Sequence, residues 1–134
     1  MQIPNTESCR HRLNQQSKIV TDASGNATVY LGSKLRGYLV SLFYRPGTLD
    51  TGADLTVTAE VSGAPILTKV NLGTVNSYLY PRALPTNANS LTGPLGTVPS
   101  ERIPLVNERI KVVVASGGNT LTGSIEAVYE TLED

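Results

Sequence analysis

The sequence feature that most restricts the fold is an alternation of apolar and polar residues on both sides of a glycine-rich turn, between residues 101 and 130. The turn is Ser116-Gly117-Gly118-Asn119, whose residue types tolerate the positive φ angles of a tight connection. A period of two gives each flanking segment one apolar face. The pattern predicts an antiparallel hairpin whose inner face requires a second apolar layer. The residues of that face are Ile110, Val112 and Val114 before the turn and Leu121, Ile125, Ala127 and Tyr129 after it.

Similar short segments, separated by turn residues, continue through the rest of the chain. With 12 Gly and 8 Pro among 134 residues, long helices are not expected. The sequence predicts one all-β domain, an antiparallel β-sandwich or jelly roll of about eight or nine strands. Outside the predicted hairpin, the expected strands start or lie at residues 18–21, 27–31, 37–44, 54–61, 66–72 and 76–80, with a connection at residues 32–36.

One of these segments, residues 37–44, is apolar at almost every position. A strand without a polar face is covered on both sides. The domain core supplies one cover. We expect the other to come from a loop, from the N-terminal segment or from another subunit.

Residues 1–17 are predominantly polar and are predicted to form an N-terminal arm, followed by the sandwich domain at residues 18–134. Too few of the arm residues are apolar to dock it firmly as a helix. Such a segment is either disordered or ordered by a partner. Its candidate contact residues, with a capsid or a sister subunit, are Arg10, His11, Arg12 and Leu13.

Five of the eight prolines lie between Pro81 and Pro104, where the alternation stops. A loop of this length is uncommon in a compact domain and is usually functional or flexible. Because proline restricts φ, the loop is expected to present contact residues at low entropic cost. Tyrosine and arginine are enriched among residues that contribute most to protein interfaces. The candidate contact residues here are Tyr78, Tyr80, Arg82, Leu84, Leu91 and Leu95.

The overall charge argues against nucleic acid and membrane as partners, because 11 basic residues balance 11 acidic ones. No apolar run approaches the ~20 residues of a membrane-spanning helix, and no signal peptide is expected. A single cysteine, Cys9, excludes an internal disulfide and fits synthesis in a reducing cytosol. No cofactor is expected.

The motif with the sharpest chemical interpretation is Asp50-Thr51-Gly52-Ala53. It resembles the active-site signature of retroviral-type aspartic proteases, in which two such aspartates meet across a dimer axis. The motif here follows a Pro-Gly turn instead of an apolar strand, and the same residue types are common in hairpin turns. We therefore predict no catalytic residue. Cys9 and His11 supply only two ligands, so no metal site is predicted either.

Two further stretches carry a resemblance to a group of viral proteins. They are Tyr80-Pro81-Arg82-Ala83 and RIPLVNERIKVVVASGGN at residues 102–119. Over roughly residues 36–130 the chain resembles small virion proteins of tailed bacteriophages, in particular head decoration, or cement, proteins. The resemblance implies a β-sandwich or jelly roll that oligomerises, often as a trimer, and clamps major capsid proteins on the outside of the head.

The expected function is therefore that of a capsid decoration protein, made in the host cytoplasm and located on the virion surface. Its expected partners are the major capsid protein and further copies of itself, with a trimer favoured over a dimer. Two alternatives remain open. One is a phage tail or fibre domain that binds a receptor or glycan, for which a chain with no Trp and one Phe gives little support. The other is the aspartic protease, with Asp50 as the catalytic residue.

Overall fold

The computed structural model describes the backbone of residues 9–83 and 101–133 and their side chains, except those of residues 9–11, 33–35 and 132–133. Within these ranges the regular structure is entirely β, in seven strands that pair antiparallel. The predicted all-β fold is confirmed. The strands are β1 (Cys9–Val20), β2 (Ala27–Arg45), β3 (Asp54–Ala59), β4 (Pro65–Lys69), β5 (Ser77–Leu79), β6 (Ile103–Ala115) and β7 (Thr122–Glu133).

The central strand is β2, which is hydrogen-bonded to three others. Its first part, Ala27 to Leu39, pairs with β6, and its second part, Gly37 to Arg45, pairs with β7. The short strand β5 pairs with the end of β2. The strand order is β1-β7-β2-β6-β3-β4, with β5 joined to β2. The described strands number seven, fewer than expected, because residues 32–36 continue β2 where the sequence predicted a connection.

One core joins the inward side chains of strands from both ends of this order. Ile19 of β1 and Ile125 of β7 belong to the same buried cluster as Leu55 of β3 and Ile66 of β4. The sheet is therefore folded over on itself, as in a sandwich. Each large aliphatic side chain buried here contributes about 1.5–3 kcal/mol. The largest fully buried side chains are Tyr44, Ile19, Leu31, Leu39, Leu42, Leu55, Leu105, Ile110, Ile125, Val57, Val112 and Val114.

The predicted hairpin between residues 101 and 130 is wrong in its pairing, although its two strands and its turn exist. β2 lies between β6 and β7, so the turn is an arch that connects strands on opposite sides of β2. The arch is held from outside: the Thr21 hydroxyl donates to the Gly118 carbonyl oxygen at 2.7 Å, and the Gly117 amide donates to the Gly25 carbonyl oxygen at 2.9 Å. The alternation of apolar and polar residues indicates which face of a strand is apolar. It does not indicate which strand pairs with it.

The predicted boundary of the N-terminal arm is also wrong. β1 begins at Cys9 and pairs with β7 from Cys9 opposite Glu133 to Val20 opposite Thr122. An edge strand is formed by backbone hydrogen bonds to one neighbour, and its side chains can therefore be polar. Residues 9–17 are thus part of the sheet, and residues 1–8 lie outside the described residues.

Gly37 is paired on both sides of β2, with Leu105 of β6 and with Thr131 of β7. Its φ is 154°, a conformation that other residues rarely adopt. A Cβ atom at this position would overlap the carbonyl oxygen of Glu130. Only glycine allows β7 to come this close to β2 at a residue that is also paired with β6.

We predict that Gly37→Ala lowers the free energy of unfolding by about 3 kcal/mol or more, because backbone of β7 must move to admit the new methyl group. Urea unfolding would measure the change. Gly52→Ala is the matched control: the nearest atom to its Cβ would be the Asn71 Oδ1 at 3.9 Å, so its effect should stay within about 0.5 kcal/mol. Equal effects of the two substitutions would contradict the role of Gly37.

The turn between β3 and β4 is capped by the carboxylate of Glu108, which lies on β6. Its Oε1 accepts hydrogen bonds from the backbone amides of Val61 at 2.8 Å and Ser62 at 2.6 Å, and its Oε2 accepts one from the Ser62 hydroxyl at 3.0 Å. These hydrogen bonds, led by that from the Ser62 amide, lower the pKa of Glu108. The ionised form is therefore favoured in the folded protein.

Because the folded-state pKa of Glu108 lies below its ordinary value of 4.5, its stabilisation is complete above that value and is lost as the pH falls through the folded-state pKa. We predict that the stability difference between the wild type and Glu108→Gln is largest near neutral pH and shrinks below about pH 4. Chemical unfolding of both proteins across this range would test it. A difference that stays constant with pH would contradict the cap.

Candidate functional site

The solvent side of the layer formed by β1, β7, the second part of β2 and β5 carries most of the predicted contact residues that the structure describes. We call this surface the outer face. β1 is one edge of the layer and β5 is the other. The two edges present different chemistry, and both contain residues expected from the sequence.

At the β1 edge, Arg12 is exposed and Leu13 is 43% exposed. Within the described residues, β1 pairs only with β7, so its other side presents backbone donors and acceptors. The side chains of Arg10 and His11 lie outside the described residues. The structure thus places this half of the predicted contact set on an edge strand.

A charged row fixes the β1 edge to the rest of the outer face. Arg12 lies 3.9 Å from a carboxylate oxygen of Glu130 on β7, and Arg102 lies 3.4 Å from the other oxygen. The guanidinium of Arg102 also stacks 4.7 Å from the ring centre of Tyr38 on β2. Exposed ion pairs are individually weak. The register of β1 rests mainly on its continuous backbone pairing with β7.

At the β5 edge, three side chains form a stack. The rings of Phe43 on β2 and Tyr78 on β5 are nearly parallel, 7° apart, with centres separated by 4.1 Å. The guanidinium of Arg45 lies 4.2 Å from the centre of the Phe43 ring. Two groups so near one ring centre occupy opposite faces, so the order is Tyr78, Phe43, Arg45. Both faces of the Phe43 ring are therefore covered, and among the described residues no second ring or guanidinium stacks on Tyr78.

Tyr80 extends the aromatic surface. Tyr78 is 64% exposed and Tyr80 is 63% exposed, whereas Leu79 between them packs against the core. The period of two places both tyrosines on the outer face. Both side chains are exposed, and their role as contacts stays a prediction.

Arg82 is hydrogen-bonded within its own chain, and its role as a contact stays a prediction. Its Nη1 donates to the carbonyl oxygens of Val40 at 3.0 Å and Pro81 at 2.7 Å. Val40 lies where β2 shifts register against β7. Arg82 therefore satisfies the carbonyl of a bulge and fixes the segment after β5. The predicted contacts Leu84, Leu91 and Leu95 lie outside the described residues.

Polar groups accompany the stack across the outer face. Glu126 of β7 is opposite Phe43 on one side and Gln16 of β1 on the other. Its Oε2 accepts a hydrogen bond from the Asn14 side-chain amide at 3.0 Å. A row of side chains thus crosses the strands β5, β2, β7 and β1 in that order. It begins with aromatic rings, continues with the Glu126 carboxylate and ends with amide side chains.

The aspartate motif is part of a turn between β2 and β3. The Asp50 amide donates to the Gly117 carbonyl oxygen at 3.0 Å, and the Ala53 amide donates to the Asp50 carbonyl oxygen at 3.1 Å. The Asp50 carboxylate is exposed beside Gly118 of the arch. Protease chemistry requires two such carboxylates to share a site. In this chain the backbone of the motif ties the arch to the turn before β3.

Sequence reasoning missed Phe43 and Arg45. Both lie in or beside a run so apolar that its two faces could not be separated by pattern alone. Their position opposite Tyr78 depends on the β2–β5 pairing. The one usable signal was their spacing of two, which places both on the same face of an extended strand.

One buried titratable group lies away from this surface. The Tyr44 side chain is fully buried in the core, and this burial raises the pKa of its phenol. Its hydroxyl has no hydrogen-bond partner in the described part of the chain. Within residues 9–83 and 101–133, no cluster of three or more His, Cys, Asp or Glu residues is placed to hold a metal ion. The same ranges contain no helix that is long and apolar enough to span a membrane.

Comparisons with known proteins give little. No protein-family model matches the chain, and no curated protein sequence matches it. Among solved structures, the chain is similar to an exo-β-1,3-galactanase from Phanerochaete chrysosporium with galactose, at 13% identity and a TM-score of 0.36. It is also similar to an arabinose-bound α-L-arabinofuranosidase, at 14% identity and a TM-score of 0.32.

These matches cover 92% and 97% of this chain but only 30% and 26% of the two larger proteins. The chain thus spans less than a third of either. At TM-scores this low, neither likeness bears on what the chain does.

The different positions of Arg82 and Tyr80 lead to a test. We predict that Arg82→Ala lowers the free energy of unfolding by about 1–2 kcal/mol, because two carbonyl oxygens lose a charged donor. Tyr80→Ala removes an exposed ring and should change stability by less than about 0.5 kcal/mol. Urea unfolding of both variants measures the difference. An unchanged stability of Arg82→Ala would restore it as a free contact residue.

Proposed function

We propose that the chain is a virion structural protein that decorates the outside of a phage head and stabilises the lattice of the major capsid protein. Two lines support the proposal. The first is the resemblance of residues 80–83 and 102–119 to head decoration proteins. The second, which carries it structurally, is the β1 edge: a strand of 12 residues with one unpaired side among the described residues.

An unpaired edge of this length is a template for another strand. Proteins commonly use such edges for assembly, with backbone hydrogen bonds supplying affinity and side chains supplying specificity. Arg12 and Leu13 are exposed beside that edge, and Arg12 pairs with Glu130 of β7. A capsid protein segment or a sister subunit fits this surface. The same arrangement supports self-association, with the trimer as the expected form.

In this proposal the protein acts by binding rather than by catalysis. The turn role of Asp50 supports that choice over the protease. Synthesis in the host cytoplasm and a final location on the capsid surface follow from the proposed function. A second candidate, a glycan-binding component of the virion, is favoured by the stack at the β5 edge.

The test is binding to expanded heads that lack the protein, prepared from the phage that encodes it. We predict that the wild type binds at a fixed copy number and that the double variant Arg12→Glu, Leu13→Asp reduces binding at least about tenfold, because charge on an edge opposes strand addition. Quantitative sedimentation with the heads measures the copies bound, and solution mass measures the oligomer.

Two controls make the result specific. Lys69→Glu reverses a charge on β4, at the other end of the strand order, and should keep most of the binding. Thermal unfolding must show that the double variant still folds, because Arg12 pairs with Glu130. A wild-type protein that stays monomeric and does not bind heads would overturn the proposal.

A further inference from the structure

The stack at the β5 edge presents a flat and preorganised surface. Phe43 is fixed between Tyr78 and Arg45, with 4.1 Å and 4.2 Å between the groups. Tyr78 therefore needs no rearrangement to offer its free ring face, and Tyr80 lies two positions along the same side. Binding to such a surface costs little side-chain entropy. The flat shape of this surface favours a ligand that stacks on the ring over a side chain that inserts into a pocket.

The cation of the stack, Arg45, has no anionic partner in the part of the chain that the structure describes. Arg45 forms no ion pair among the described residues, and its Nη1 is buried without a hydrogen-bond partner. The three arginines with described ion pairs, Arg12, Arg102 and Arg109, all face glutamates. A guanidinium is suited to bidentate recognition of a carboxylate. The surface therefore calls for a ligand that brings negative charge.

Polar groups beside the stack match a ligand with many hydroxyls. Glu126 lies next to Phe43 in the row, and its carboxylate is held by Asn14 at 3.0 Å. Carboxylate and amide side chains are the usual partners of vicinal hydroxyl groups, and an aromatic ring accepts the apolar face of a sugar ring. The outer face thus presents an aromatic ring (Tyr78), a cation (Arg45) and a carboxylate–amide pair (Glu126 and Asn14).

From these features we infer that the outer face at the β5 edge binds an acidic oligosaccharide, which stacks one sugar ring on Tyr78 and places a carboxylate at Arg45. Arg45 lies two stacking distances from Tyr78, so the ligand spans more than one sugar unit. A protein partner is disfavoured because the stack already covers Phe43 and leaves no apolar groove. This inference does not depend on capsid binding, since β5 and β1 are opposite edges of the layer.

The experiment uses the full chain and an array of neutral, uronic-acid and sialic-acid oligosaccharides, followed by titration calorimetry with the best acidic ligand and its methyl ester. We expect binding to the acidic form, with a loss of about tenfold or more for Tyr78→Ala. Tyr78→Phe keeps the ring and should stay within about threefold of wild type. Arg45→Gln should remove the preference for the free acid over the ester, and salt should weaken that preference.

The controls separate this site from the capsid contact. Val70→Ala changes an exposed residue elsewhere (61% exposed) and should leave saccharide binding unchanged. The Arg12→Glu, Leu13→Asp variant should lose head binding and keep saccharide binding. Tyr78→Ala should lose saccharide binding and keep head binding. Thermal unfolding verifies the fold of each variant.

Three outcomes would overturn the inference. The first is the absence of binding to any acidic oligosaccharide at about 10 mM. The second is saccharide binding that Tyr78→Ala does not weaken. The third is head binding that depends on Tyr78 while no saccharide binds, which would make the stack a protein contact.

Discussion

The structure depends on a close backbone approach at one point of its longest strand. At Gly37, β2 is hydrogen-bonded to β6 on one side and to β7 on the other, and a side chain there would collide with the Glu130 carbonyl. Around this point the partners of β2 change from β6 to β7 and β5, so its two parts contribute to different regions of the sheet. The inward faces of both parts then meet in one core. β5, β6 and β7 pair with β2 directly, and β1, β3 and β4 are placed through β7 and β6.

The surfaces available for function are a consequence of this arrangement. The second part of β2 accepts β7 and then β1 on one side, and the short β5 on the other. The layer therefore has a long polar edge and a short aromatic edge. The polar edge is held by a glutamate between two arginines, and the aromatic edge by the stack on Phe43. Two chemically different edges are thereby kept apart on one small domain.

Residues with strong local preferences were interpreted well from the sequence. The alternation of Leu55 and Val57 predicted an inward face, and both are fully buried. Tyr78 and Tyr80 were expected as contacts and are exposed. Arg82 was also expected as a contact but donates to the Val40 carbonyl, since a bulge in β2 created an acceptor that no local pattern reveals. Phe43 and Arg45 were hidden because their apolar run shows no period.

The sequence by itself determined that the chain is all-β and which side of most strands faces inward, because both properties follow from residue type and a period of two. It did not determine strand neighbours. Ile110–Val114 and Ile125–Tyr129 look like two arms of a hairpin, yet β2 lies between them. Backbone amides and carbonyls are the same in every residue, so pairing is decided by how all apolar faces are buried together. Only the tertiary structure therefore placed Phe43 beside Tyr78 and made residues 9–17 a strand.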